Sequence, residues 1–198
     1  MDRFCPHCNS DDIVKYGVRV NKTGANSQRY FCNSCKKEFS IRDERGWDKE
    51  IRRAIVTPDK HFPYEDKPAI NALLKAIDLV KPSIYVDLGD VGEWESVSQW
   101  KWKRKKRPPL EYMIPEIDKE VAAVNSGMDL IDSALDKAGC DERHFIEGNH
   151  DNWLNRFVEG YPYLGQYRLK TAIKLDERGY TYHPFGKFLK IGKLFFYH

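Results

Sequence analysis

The chain has no apolar run long enough to span a bilayer. Its first residues, Met1 to Cys5, contain no apolar signal core. These two absences set the cytoplasm as the expected compartment and no membrane as a partner. A strong net charge is missing too: 33 Lys and Arg against 30 Asp and Glu leave +3. A polyanionic partner would therefore have to be met by local clusters of charge. Cysteine is scarce, five in all, and four of the five fall within the first 35 residues. In a reducing compartment that clustering points to metal ligands rather than disulfides. The fifth, Cys140, stands alone at an expected helix end and reads as a small semi-buried residue. What remains is a 198-residue chain, 41% hydrophobic and 32% charged. It is long enough for one catalytic domain and a small module, and too apolar for wholesale disorder.

The organisation is modular, with no internal repeat. Residues 1–41 form the first module. A charged stretch ending in Gly46 marks 42–50 as a linker. Residues 51–198 alternate strand and helix signals. Strands are predicted at 51–56, 83–88 and 143–147, and helices at 65–80, 114–138, 151–158 and 167–175. Three more strands follow at 180–183, 188–191 and 194–197. This alternation predicts an α/β domain with a largely parallel sheet, in which chemistry sits at the carboxyl ends of strands. Three of those ends read Thr57-Pro58-Asp59-Lys60-His61, Gly89-Asp90 and Gly148-Asn149-His150-Asp151.

In the first module, Cys5-Pro6-His7-Cys8 and Cys32-Asn33-Ser34-Cys35 are two C-x-x-C knuckles. Together they offer four thiolates to one structural zinc ion, which would supply the folding energy of a hairpin too small to have its own core. His7 reads as an exposed knuckle residue. Cys5-Pro6-x-Cys8, Ile13-Val14-Lys15-Tyr16-Gly17, Gln28-Arg29-Tyr30-x-Cys32 and Cys35-Lys36-Lys37-x-Phe39 resemble the zinc ribbons of insertion-sequence transposases. That resemblance implies nucleic-acid contact, with Arg29, Lys36 and Lys37 among the residues available to phosphates.

In the second module, Asp59 and His61 alternate beyond one strand end and can address one ion. Asp90 follows a glycine that permits a tight turn. Asn149 adds an amide oxygen and His198 an imidazole. A mixed N/O set of this kind suits Mn, Fe or Zn at a dinuclear hydrolytic centre, which would generate hydroxide near neutral pH and clamp phosphate oxygens. His150 is the candidate proton donor to the leaving oxygen, with Asp151 to orient it. His144 and His183 lie inside strand patterns and read as structural.

The order Asp-x-His, Gly-Asp, Gly-Asn-His-Asp and a lone His resembles the calcineurin-like metallophosphoesterases, from about Ile51 onward. The resemblance implies that family's two-sheet sandwich, incomplete at its C-terminal side. By position, Asp59 and His61 would hold one cation, Asp90 would bridge, and Asn149 and His198 would hold the other. Two departures from the family pattern stand out. Glu93 occupies the place where many members carry an outer aspartate, and no Gly-His-x-His is found up to His198. Each cation would lack one histidine, so the resemblance implies a further segment or a partner chain that completes the site.

Between the second and third motifs lies a tryptophan-rich basic insertion, 94–109. It holds Trp94, Trp100, Lys101, Trp102, Lys103, Arg104, Lys105, Lys106 and Arg107. Aromatic faces stack on bases while cations meet phosphates, so this loop is a candidate nucleic-acid contact. Lys60 is a candidate for added local positive charge.

The leading expectation is a metal-dependent phosphodiesterase acting on nucleic acid, DNA in the first instance. The rivals are a phosphomonoesterase or small-nucleotide phosphodiesterase, and a non-catalytic zinc-ribbon nucleic-acid-binding protein with a degenerate phosphoesterase half.

Overall fold

The computed structural model describes residues 4–20, 26–41 and 52–198. The linker expected at 42–50 and the strand residue Ile51 lie outside the described residues. The chain divides into two compact units, Met1–Ile51 and Arg52–His198, and each is described by itself. No helix among the described residues is long and apolar enough to cross a membrane.

The first unit is a three-stranded antiparallel sheet in the order β1-β2-β3, with β1 at Ile13–Val20, β2 at Asn26–Cys32 and β3 at Glu38–Ile41. The hairpin expected from sequence thus gains a third strand. Phe39 on β3 stacks on Tyr30 of β2 with ring centroids 5.8 Å apart. Among the described residues of this unit, only Cys5, Tyr30 and Cys32 are buried apolar groups. That is too little apolar burial to offset the entropy of ordering the chain, so a cross-link has to make up the difference.

The second unit is mixed α/β. Its sheet has the order β4-β5-β6-β7, formed by Ala54–Thr57, Ile84–Asp87, Glu142–Ile146 and Tyr180–His183. All three pairings are parallel. Helix α1 (Lys67–Val80) starts at Asp66, whose carboxylate accepts from Ala69 N at 3.1 Å. Helix α2 (Leu110–Ala138) ends at Gly139 in the left-handed conformation, and Cys140 follows it, buried. Helix α3 (Asn149–Gly160) leads into a 3-10 stretch, Pro162–Tyr167, and a short helix α4, Leu169–Ala172. The longer helix expected at 167–175 is therefore only four residues. Lys174 lies just beyond it at φ 56°, where an α-helix cannot continue.

β5 is buried along its whole length, as parallel strands covered on both faces are. Tyr85 and Phe145 face the helices, among Ile77, Ile117, Met128, Leu135 and Leu154. Ile84, Val86 and Ile146 face the other way, against Leu189, Ile191 and Phe196. These last three belong to a small hairpin of β8 (Leu189–Ile191) and β9 (Leu194–Phe196). The hairpin crosses the sheet's second face and delivers His198.

Candidate metal centres

In the first unit the four cysteines close on one point. Cys5 Sγ lies 3.7 Å from Cys35 Sγ, and Cys8 Sγ lies 3.6 Å from Cys32 Sγ. Thiolates 2.3 Å from a tetrahedral zinc are about 3.8 Å apart, so the cluster has the dimensions of an ion's coordination shell. The two knuckles are built alike. Asn9 N donates to Cys5 O at 2.8 Å and Lys36 N to Cys32 O at 2.9 Å. Asn9 and Lys36 both take the left-handed conformation, at φ 57° and 61°. The backbone N–H of Cys35 draws the Cys32 thiol below its ordinary value, toward the thiolate a metal needs. These four residues could bind one zinc. His7 is exposed beside them.

Of the ribbon's expected phosphate contacts, Lys36 and Lys37 are exposed. Arg29 is instead engaged within the sheet. It pairs with Glu38 and lies over the Tyr16 ring at 5.5 Å.

In the second unit, parallel pairing sets the carboxyl ends of β4, β5 and β6 side by side, and the loops beyond them are stitched together through peptide groups. Asp59 N donates to Gly89 O at 3.1 Å, His61 N to Asp90 O at 3.0 Å, and Phe62 N to Val91 O at 2.9 Å. Asp59, His61 and Asp90 all adopt left-handed backbone, at φ 49°, 48° and 49°. Such conformations are costly for residues with a Cβ and cluster at functional sites. The third loop joins at Gly148. A Cβ there would meet Asp90 Oδ1 at 2.1 Å, and one at Gly89 would meet Gly148 N at 2.3 Å. Only two facing glycines allow loops this close.

Five side chains converge above that frame. Asp90 is buried, and its Oδ1 accepts from His150 N at 2.8 Å. Its Oδ2 lies 3.5 Å from His198 Nε2 and 4.0 Å from His61 Nε2. His61 Nε2 is 3.9 Å from Asp59 Oδ1. His198 Nδ1 meets the Leu88 carbonyl at 2.7 Å, so Nδ1 bears the proton. The lone pair of Nε2 then points at Asn149 Oδ1, 2.9 Å away, and at Asp90 Oδ2. Electron-pair donors turned on one spot repel unless a cation lies among them.

A second group adjoins the first. His61, Glu93 and His150 each present a ligand atom within 4.8 Å of the others, as do Asp59, Asp90 and His198. His61 Nδ1 is 2.8 Å from Glu93 Oε2, yet off the line of a hydrogen bond, and it is buried with no partner. An orphaned nitrogen pressed against a carboxylate fits a shared cation. Glu93 thus joins the site. The His61 and His150 rings meet edge-on at 4.8 Å, and Trp153 stacks on His150 at 3.9 Å.

Two expectations are corrected here. Asp151 does not orient His150. Its Oδ2 accepts from Asp90 N at 2.8 Å and Gly148 N at 3.1 Å, and its Oδ1 from Trp94 Nε1 at 2.9 Å. It caps α3 and anchors the Asp90 loop from a fully buried position, where burial pushes its carboxyl up to about 7. The group beside His150 is Glu93. Its carbonyl accepts from His150 Nδ1 at 3.1 Å, and its carboxylate lies 3.7 Å away. Lys60 adds no surface charge. It is buried and paired with Asp87 at 2.8 Å, and burial raises the Asp87 carboxyl against the pull of Lys60.

The basic insertion is part anchor and part free surface. Trp94 belongs to the core. Trp102 Nε1 donates to Ser96 O at 2.8 Å, Lys101 pairs with Glu95 at 2.7 Å, and Arg107 donates to Val97 O at 3.3 Å. Trp100, Lys103, Arg104, Lys105 and Lys106 are exposed, with Lys103 Nζ 5.2 Å from the Trp100 ring centroid.

No family model matches the chain, and no curated protein or solved structure matches it.

Proposed function

We propose that the Arg52–His198 unit is a metal-dependent phosphoesterase with a calcineurin-like fold, acting as a phosphodiesterase on nucleic acid. One observation bears most of the weight. Asp59, His61, Asp90, Asn149 and His198 come from four separate segments; His61 and His198 both face the buried Asp90 Oδ2, Asp59 lies against His61, and Asn149 against His198. Bound divalent cations (Mn, Fe or Zn) would polarise the phosphoryl group and supply a nucleophile at neutral pH.

The chain's residues take complementary parts in this reading. Asp59 and His61 would hold one cation, Asn149 and His198 the other, and Asp90 would serve both. Glu93 approaches from the His61 side. His150 keeps a proton on Nδ1, fixed by the Glu93 carbonyl, and turns Nε2 toward the leaving oxygen. Trp153 holds the ring plane, and the Glu93 carboxylate lies 3.7 Å from Nδ1. Asp151 and Trp94 keep the Asp90 loop in place. Trp100 and the Lys103–Lys106 run give a polymer stacking and phosphate contacts, and Lys36 and Lys37 of the ribbon are separate candidates for phosphate contact.

The test uses the intact chain with Mn2+ and single- and double-stranded DNA, beside His150→Ala. Wild type cleaves, and the variant loses about a hundredfold or more while still binding Mn2+. Equal cleavage by both removes His150 from the reaction. Salt-sensitive DNA binding without cleavage in any metal returns the chain to a binding protein.

A further inference from the structure

A second cleft opens from the same two loops. Its volume is about 540 Å³, within the range of small-ligand pockets. Tyr64, three residues past His61, forms one wall with Glu95 and Ser96, which follow Glu93 closely. Tyr112 of α2 and Trp102 of the insertion form the others. The cleft therefore begins within a few residues of the candidate cation site.

Its chemistry is unlike that of the exposed basic run. Tyr64 and Tyr112 line the cleft and are 67% and 66% exposed, so both aromatic side chains are accessible to an entering group. Trp102 is pinned through its Nε1, and Lys101 Nζ lies 5.4 Å from its ring centroid. The carboxylates present are already occupied. Glu95 takes Lys101 at 2.7 Å and Tyr64 Oη at 3.2 Å, while Glu120 takes both the N and Oγ of Ser96. With Glu116 the lining holds three carboxylates against two lysines, so it does not favour a phosphate. A flat, uncharged, polar-edged ring system fits it: aromatic faces to stack on, and carboxylate oxygens at the rim with lone pairs left to accept from base N–H groups.

We propose that this cleft is the base-binding subsite for the nucleotide flanking the reacting phosphate. It divides recognition between phosphate at the cation site and base in the cleft. The inference rests on the phosphodiesterase reading and adds a base subsite to it.

Two esters with one leaving group test it: thymidine 5′-(p-nitrophenyl phosphate) and methyl p-nitrophenyl phosphate, both with Mn2+. Wild type favours the nucleoside ester through KM. In Tyr112→Ala the ratio of kcat/KM between the two esters falls about tenfold, and in Tyr112→Phe it is retained, because stacking needs the ring and not the hydroxyl. Tyr64→Ala lowers the same ratio. Equal kcat/KM for both esters in wild type, or a ratio unmoved by Tyr112→Ala and Tyr64→Ala, overturns the subsite and leaves the phosphoesterase standing. Hydrolysis of neither ester by wild type overturns the phosphoesterase reading, and the subsite goes with it.

Discussion

Gly148→Ala is the sharpest probe of the second unit's site. Gly148 sits at φ −83° and ψ 175°, a backbone open to alanine, so the substitution brings no conformational penalty of its own. The penalty is one of contact. The new Cβ would lie 2.1 Å from Asp90 Oδ1 and 2.4 Å from Asp90 N. Relief requires Asp90 or Gly148 to retreat by more than about 1 Å, because carbon contacts settle near 3.5 Å. That carboxylate holds His150 N on one oxygen and faces His61 and His198 with the other. Overpacking of this kind costs about 1–3 kcal/mol of stability. A ligand set displaced by that much should lose about tenfold to a hundredfold in cation affinity. The assay is Mn2+ titration by calorimetry beside thermal unfolding. Gly160→Ala is the control. It lies at the end of α3 with nothing within 4 Å of its added carbon, and should gain about 0.5–1 kcal/mol with unchanged Mn2+ binding. A folded Gly148→Ala protein that binds Mn2+ as tightly as wild type would refute the argument that Asp90 is seated by glycine contact.

Three further outcomes are expected. Burial, and then the charge of His144, depress the His183 imidazole below its ordinary value. The unfolded chain therefore takes the proton first as pH falls, and stability present near neutrality erodes below about pH 6.5. In His183→Gln that part of the slope disappears, and thermal melts across the range that show an unchanged slope would count against it. Chelation, or Cys32→Ser, should lower the zinc content measured by mass spectrometry by the ribbon's one ion per chain and collapse the amide dispersion of β1–β3. Asp132 is buried and accepts from Tyr180 Oη at 2.9 Å and Arg178 Nη1 at 2.5 Å. Asp132→Ala strands those donors and should cost about 3 kcal/mol in urea unfolding, and Asp132→Asn less.

The strand ends were legible because glycine and polar residues interrupt β-branched runs there, and parallel pairing then makes three separated motifs neighbours. Asp59, His61, Asp90 and Asn149 could be nominated on that basis, whereas His198, which follows the antiparallel β8–β9 hairpin, rests on the apolar run before it and on the family resemblance. What the chain order does not reveal is direction. Asp151 follows His150, but at the third position of α3 its carboxylate turns back to Gly148 N and away from the imidazole. Glu93 reaches His61 and His150 because Trp94, left-handed at φ 51°, turns the chain behind it. That tryptophan looked like part of the basic insertion, but it is fully buried in the core and its Nε1 donates to a buried carboxylate. Lys60 reads as surface charge between two ligands until its partner Asp87, 27 positions on, is brought beneath it.

The lacing of the Asp59, His61 and Asp90 loops runs from amide to carbonyl, whatever side chains those positions bear. Architecture and reactivity can therefore part company over generations. A lineage that exchanges Asp59 or His61 for an inert residue loses a candidate cation donor but inherits the same cradle. In such descendants the backbone trace is a record of ancestry, and only the donor atoms report whether the site still works.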